Sequence, residues 1–118
     1  YTPSSFPAEM EQAVRGLMLR AMTQGNEGDF KSAFSDMELA LWLCQSLNMK
    51  CMEAVLMNNL GLLHVMNGVW DKGMLSFDRS MEMAYEFCPA HDKFIPTLKK
   101  NISSLFVQEN NAQGNSSD

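Results

Sequence analysis

Apolar side chains recur every three or four positions along most of this chain, which is the spacing of amphipathic helices. The pattern is clear from Met10 to Met22, where Val14, Leu17 and Met18 fall on one side. No segment alternates apolar and polar residues with the period of two that a half-buried strand shows. The sequence therefore predicts an all-α protein with five helices, at residues 8–24, 30–47, 51–66, 70–87 and 93–109.

Short polar breaks separate these helices and predict antiparallel neighbours. Glycine supplies the left-handed conformation that commonly ends a helix, and Gly25-Asn26-Glu27-Gly28 ends the first one. Asp29 is placed to cap the second helix, and Asn67-Gly68 ends the third. Outside the helices, we expect residues 1–7 to form a linker and the polar residues 110–118 to be disordered.

The second helix pair repeats the first at a constant offset along the chain. Ala21 aligns with Gly61 and Ala33 aligns with Gly73, so small residues meet small ones in both helices. Glycine in a helix interior is about 1 kcal/mol less favourable than alanine. Two such glycines in one hairpin indicate that two backbones approach closely. The repeat predicts a stack in which each hairpin buries its apolar face on the next.

Matching residues occupy equivalent places in the two repeats. They are Ala21, Gly28-Asp29-Phe30, Ala33 and Ala40 in the first, and Leu60-Gly61, Asn67-Gly68, Trp70, Gly73 and Phe77 in the second. This pattern resembles the tetratricopeptide repeat (TPR), whose last alanine is replaced by Ser80 in the second repeat. The period, which carries Ala21 onto Gly61, is longer than the one usual in that family. It is similar to the longer variant in kinesin light chain and LGN-type adaptors.

The resemblance implies a helical-repeat solenoid of two TPR-like hairpins, 8–48 and 51–87, closed by a capping helix at 93–109. It implies a non-catalytic module without a cofactor, which docks a partner protein as part of a scaffold or adaptor. The partner would lie along a concave groove formed by the first helix of each hairpin. By the repeat alignment, the residues that line this groove are Arg15, Met18, Met22, Val55, Asn58, Asn59, Leu62, Met66 and Lys99.

Asn58 and Asn59 give the predicted groove a polar centre, because an amide both donates and accepts hydrogen bonds. An alternative is that Asn59 satisfies a neighbouring backbone group and that Met18 and Met22 belong to the core. Some members of the family grip a partner's terminal carboxylate with basic and amide residues. Asn59 and Lys99 match that clamp, but Met18 and Met22 occupy two of its positions and do not bind a carboxylate. We therefore expect an apolar helix or an extended segment as the partner.

Composition narrows the possible classes of function. The net charge of −5 disfavours nucleic acid, whose phosphates require clustered Lys and Arg. No apolar run approaches the ~20 residues of a membrane span. The three cysteines are odd in number and lack a C-x-x-C spacing. They predict reduced thiols in a cytoplasmic protein, with a nuclear location also open.

No catalytic or metal-binding constellation is visible in the sequence. The candidate metal ligands have no known metal-site spacing; they are Cys44, Cys51, Cys88, His64 and His91. We expect His64 to be packed at a helix contact. Several glutamates on helix faces are expected to be solvated, namely Glu38, Glu53, Glu82 and Glu86. The glycosylation sequon Asn101-Ile102-Ser103 is expected to be a chance match.

Two further functions remain open at this stage. Repeat stacks usually need about three repeats, so a two-repeat stack with methionine-rich faces could associate with a second copy. The domain could also be a structural spacer in a larger protein.

Overall fold

A computed structural model describes residues 6–89 and 93–116, with the side chains of all but 6, 7, 106 and 108–116. Within these residues the chain forms five α-helices and no strand, so the prediction of an all-α protein is confirmed. The helices are α1 (Phe6–Asn26), α2 (Phe30–Ser46), α3 (Lys50–Met66), α4 (Trp70–Phe87) and α5 (Phe94–Ser116).

The outer helices are longer than the sequence predicts. Helix α1 begins at Phe6, so Pro7 lies in the first turn. Proline is tolerated there because the N–H that it lacks would have no acceptor within the helix. Helix α5 continues to Ser116, beyond the end predicted at residue 109. A helix already nucleated extends at little cost through polar residues. The predicted linker residues 1–5 and the last two residues lie outside the described part of the chain.

Three equivalent turns join the first four helices. Each has one residue in the left-handed conformation, and these residues are evenly spaced along the chain: Gly28 (φ 86°), Asn48 (φ 57°) and Gly68 (φ 80°). In each turn, the next residue donates its N–H to the carbonyl five positions earlier, which is the Schellman pattern. The bonds are Asp29 to Gln24 (2.9 Å), Met49 to Cys44 (2.8 Å) and Val69 to His64 (2.8 Å).

Helix α3 lies at the centre of the bundle. Helices α1 and α2 pack as one hairpin and α3 and α4 as another, while α3 also contacts both α2 and α1. Helix α5 packs against α4. One apolar cluster fills the space between α1, α2 and α3, and a second fills the space between α3, α4 and α5. The largest fully buried side chains of these clusters are Val14, Met37, Leu56, Leu63, Phe77 and Leu98.

The glycines of the second hairpin mark the close contact that the sequence predicts. A Cβ on Gly61 would lie 3.0 Å from the carbonyl oxygen of Gly73 and 3.0 Å from the ring of Phe77. A Cβ on Gly73 would lie 2.7 Å from the side chain of Val65. Ser80, which aligns with Ala40 of the first hairpin, is fully buried, and its hydroxyl donates to the carbonyl of Ala54 at 2.6 Å.

A disulfide joins Cys51 to Cys88, with their Cα atoms 4.9 Å apart. The prediction of three reduced thiols is therefore wrong for this pair, whereas Cys44 is free and buried. The two cysteines are 37 residues apart in sequence, and the antiparallel pairing of α3 and α4 brings the start of one helix beside the end of the other. The cytoplasmic location was predicted from reduced thiols. Because disulfides are typical of oxidising compartments, this bond removes that reason for the prediction. Among the described residues, no helix has the length and apolarity to span a membrane.

Candidate partner-binding surface

Helices α1 and α3 lie side by side, and two contacts set their register. The side-chain amide of Asn59 donates to the sulfur of Met18. Near the other end, the Met66 side chain lies 3.5 Å from the Cβ position of Gly25. Both contacts join residues with the same separation in sequence, so the two helices run in the same direction. The predicted rows on α1 and α3 thus form one surface, which we call the α1–α3 surface; it comprises Met18, Met22, Val55, Asn59, Leu62 and Met66.

Most of this surface is apolar and open to solvent. Met18, Met22, Val55 and Leu62 are half-buried, and Met66 is exposed. An open pocket of about 520 Å³ lies at one end of the surface. Its lining residues are Glu11, Arg15, Met49, Lys50, Cys51, Met52, Val55 and Phe94. Arg15 and Val55, both predicted to line the groove, therefore share a pocket, and Arg15 is paired with Glu11 at 3.0 Å.

Asn58 is not part of the open surface, contrary to the prediction. It is buried, with 5% of its surface exposed. Its amide nitrogen donates to the side-chain oxygen of Asn59 at 3.3 Å, and its oxygen accepts from the amide nitrogen of Asn101 at 3.2 Å. Asn58 therefore links α3 to α5 rather than facing a partner. The same bond occupies the Asn101 nitrogen, which is the atom that would carry a glycan at the sequon.

Lys99 also lies elsewhere than predicted. Its ammonium group is 5.6 Å from the centroid of the Tyr85 ring on α4, so it faces α4 and not the α1–α3 surface. The repeat alignment assigned Lys99 to the position of Asn59, but the contact between α3 and α5 joins Asn58 to Asn101. The α4–α5 connection is longer than the three compact turns, and the register of α5 therefore departs from the offset that relates the two hairpins.

Asn59 keeps the role of polar centre, although its bonds differ from both sequence interpretations. Its nitrogen contacts Met18 and its oxygen accepts from Asn58, so its partners are side chains rather than backbone groups. An amide has two N–H groups and two oxygen lone pairs. The nitrogen and the oxygen of Asn59 each retain one position for a hydrogen bond to a partner.

The other candidate residues have structural contacts. His64 stacks on Phe34, with ring centroids 4.8 Å apart, as expected for a histidine packed between helices. Burial, and then the charge of Lys72, lower the pKa of His64. Burial raises the pKa of Cys44 to about 11, and nearby Glu53 adds to this effect. Within the described residues, no three potential ligands cluster in a way that would hold a metal ion, and His91 lies outside them.

Glu53 is buried rather than solvated, which sequence reasoning missed. Only 7% of its surface is exposed. One carboxylate oxygen accepts from the Gln45 amide at 3.3 Å, and the other has no hydrogen-bond partner in the described structure. Its place on a helix face suggested a solvated carboxylate. The packing of α2 against α3 covers it instead.

The outer side of the bundle also carries apolar groups that sequence reasoning missed. Trp42 is 62% exposed and Leu75 is 68% exposed. A second open pocket, of about 410 Å³, lies between α2 and the start of α4, over Leu60 and His64 of α3. Helical periodicity alone places large apolar residues in the core, so their exposure is visible only once the helices are packed.

Comparisons of the chain with protein-family models, with curated proteins and with solved structures find no match. Any assignment of function to this chain therefore rests on its own residues and geometry.

Proposed function

We propose that this protein is a non-catalytic, TPR-like interaction module that binds an apolar helix or extended segment of a partner protein along the α1–α3 surface. The observation that carries the proposal is the contact between Met18 and Asn59, which joins two apolar rows into one open surface. Such a surface suits a partner helix that presents apolar residues at intervals of three and four. Asn59 would set its register. The module would serve within a scaffold or adaptor.

The packing order supports the TPR-like part of the proposal. In a stack of hairpins, the first helix of each hairpin lies against both helices of the previous one. Helix α3 contacts both α1 and α2 in this way. The evenly spaced Schellman turns give the helices a regular spacing, and α5 covers the end of the stack through buried Leu98 and Leu105.

A capture experiment with matched variants tests the proposal. The full chain is immobilised in four forms: wild type, the double variant Val55→Glu/Met66→Glu, the single variant Met66→Glu, and the control Leu39→Glu/Leu75→Glu on exposed outer positions. Proteins captured from a cell extract are quantified by mass spectrometry. We expect a specific partner to be lost by about tenfold with the double variant, on the scale of one interface hot spot, and retained by the control.

Loss of the partner with the control variant and its retention by the double variant would place binding on the outer side. Equal capture by all four forms would refute the α1–α3 surface as a docking site. Met66 is already exposed, so the single variant tests the surface even if a charge at Val55 disturbs packing. Circular dichroism and a thermal unfolding midpoint confirm that each variant is folded before capture is compared.

Self-association is the second candidate, favoured by Trp42. This side chain lies one turn from Leu39 on α2, and both are exposed. An exposed indole beside a second large apolar group is typical of interface anchors. Light scattering of the full chain at high micromolar concentration tests it: a dimer that the Trp42→Ser variant abolishes supports self-association, and a monomer excludes it. If neither a partner nor a dimer is found, the spacer function remains.

A further inference from the structure

Two neighbouring cross-links hold the open end of the second hairpin, opposite the turn at Asn67-Gly68. The disulfide joins Cys51, the second residue of α3, to Cys88, which follows the last residue of α4. Directly beside it, the Lys50 ammonium lies 5.9 Å from the centroid of the Phe87 ring. The start of α3 is thus tied to the end of α4 by one covalent bond and one cation–π contact.

The two cysteine residues differ in accessibility. Cys51 is half-buried and lines the open pocket of about 520 Å³ at the end of the α1–α3 surface. Cys88 is buried and does not line it. A reagent of small size that enters the pocket therefore meets the Cys51 side of the disulfide first.

The charges around Cys51 favour an anionic reagent. Lys50, Arg15 and Glu11 are the charged residues that line the same pocket, and because Arg15 and Glu11 pair at 3.0 Å, Lys50 gives the lining its net positive charge. Cys51 also lies in the first turn of α3, at the positive end of the helix dipole. The residue at the N-cap position, Met49, makes no side-chain capping bond there. The reacting form of a thiol is the thiolate, so cations at the pocket raise the local concentration of the attacking species.

We propose that the Cys51–Cys88 disulfide is a thiol-exchange site, which reacts in the folded protein with a small anionic thiol. The thiolate attacks the sulfur of Cys51, the S–S bond breaks, and its electron pair leaves on the sulfur of Cys88, which then takes a proton from water. The product is a mixed disulfide at Cys51 and a free thiol at Cys88. A second thiolate attacks the mixed disulfide and leaves two protein thiols and the oxidised reagent.

Opening the bond loosens the end of the hairpin most. Further along, α3 and α4 remain joined by the Ser80–Ala54 hydrogen bond and by the close contact of Gly61 with Gly73. These contacts do not involve the disulfide. The last turn of α4, which keeps the Lys50–Phe87 contact but loses its covalent bond to α3, therefore loosens beside the start of α5, while α1 and α2 keep their packing.

Exchange kinetics on the folded full chain test the proposal. The rate of opening is measured with 2-mercaptoethanesulfonate, which is anionic, and with 2-aminoethanethiol, which is cationic, at equal thiolate concentration and low salt. We expect the anionic thiol to react about threefold faster, on the scale of one exposed charge pair. Lys50→Met should remove most of that preference, and the control Lys72→Met, in the other pocket, should leave it intact.

An opening rate that does not depend on thiol concentration would overturn the proposal, since it would mean that the bond reacts only after global unfolding. A preference for the cationic thiol would also overturn it. Mass spectrometry after acid quenching should locate the mixed disulfide on Cys51; an adduct on Cys88 would contradict the assigned direction of attack. Hydrogen exchange of the opened protein should rise most at residues 81–88 and much less in α2. A rise in α2 as large as the rise at residues 81–88 would contradict local opening.

Discussion

The two hairpins share their turns but are held together by different means. Helices α1 and α2 carry Ala21 and Ala33 where α3 and α4 carry Gly61 and Gly73. In the first hairpin, the Arg20 guanidinium also donates two hydrogen bonds, of 2.6 and 2.8 Å, to the Asp36 carboxylate. This contact lowers the pKa of Asp36. The second hairpin has no charged link of this kind among its described residues; it relies on backbone contact, a buried hydroxyl and a disulfide.

The difference shows that a helix hairpin can be held together either by a charged pair at its surface or by contacts in its interior. The methyl groups of Ala21 and Ala33 are buried in the first hairpin. At the equivalent sites of the second hairpin, a methyl on Gly61 would meet the Gly73 carbonyl and Phe77, and one on Gly73 would meet the Val65 side chain. A charged pair exposed to water contributes little stability, about 0–1 kcal/mol, whereas close packing and cross-linking contribute more. The second hairpin should therefore be the more stable one and the more sensitive to small substitutions.

Loss of the disulfide should have the largest effect. The bond closes a loop with a sequence separation of 37 residues, and the chain-entropy relation gives a stabilisation of about 4 kcal/mol for such a loop. We expect the double variant Cys51→Ala/Cys88→Ala to lose about this amount in the free energy of unfolding, measured with urea. A phosphine reductant should destabilise the wild type equally and leave the variant unchanged. A loss below about 1 kcal/mol, outside the range typical of native disulfides, would show that the remaining contacts hold the hairpin alone.

Gly61→Ala should have the next largest effect. The added methyl would lie 3.0 Å from the Gly73 carbonyl, and a backbone atom cannot move aside as a flexible side chain can. We expect a loss of about 2 kcal/mol, typical of overpacking. Gly16→Ala is the matched control, since nothing lies within 4 Å of its Cβ position. It should gain about 0.5–1 kcal/mol from helix propensity, and a gain of stability with Gly61→Ala as well would contradict the close approach.

Ser80→Ala should lower stability by about 1 kcal/mol, because it removes a buried hydrogen bond to the Ala54 carbonyl. The reciprocal change in the first hairpin, Ala40→Ser, should also destabilise, since it brings a hydroxyl into a fully buried site that a methyl group fills. Both are measured by urea unfolding. If Ala40→Ser left stability unchanged, the two hairpins would be equivalent at this position.

The smallest expected effect is a pH dependence from His64. Because burial and Lys72 lower its pKa in the folded state, the unfolded chain binds a proton at a higher pH than the folded chain does. The contribution of His64 to stability is therefore complete above the ordinary histidine pKa of about 6.5, and it falls as the pH drops through that value towards the lower folded one.

Unfolding midpoints at several pH values between about 7.5 and 5, which bracket the ordinary histidine pKa, measure this contribution in wild type and in His64→Phe, which keeps a ring against Phe34. The wild type should lose more stability than the variant over this range. Parallel curves would mean that the histidine is as free to ionise in the folded protein as in the unfolded chain.

Local patterns were enough to predict most of the architecture. The number of helices follows from the spacing of apolar residues, and the turns follow from Gly28 and Gly68, because left-handed residues and apolar stripes act within one or two helical turns. The two glycines inside the helices of the second hairpin also predicted the close contact of Gly61 with Gly73. The constant offset between the predicted repeats placed Met18 and Asn59 on one surface, since equivalent helices of neighbouring repeats are expected to lie side by side.

The tertiary structure alone decided which side chains are paired and which are free. Because of the register of α5 against α3, Asn58 is hydrogen-bonded to Asn101 and Lys99 faces Tyr85. The packing of α2 on α3 buried Glu53, and the pairing of α3 with α4 joined Cys51 to Cys88. Such contacts link residues far apart in sequence, and they depend on small shifts between helices. A periodic pattern specifies which face of a helix is buried, but not the residue that it meets.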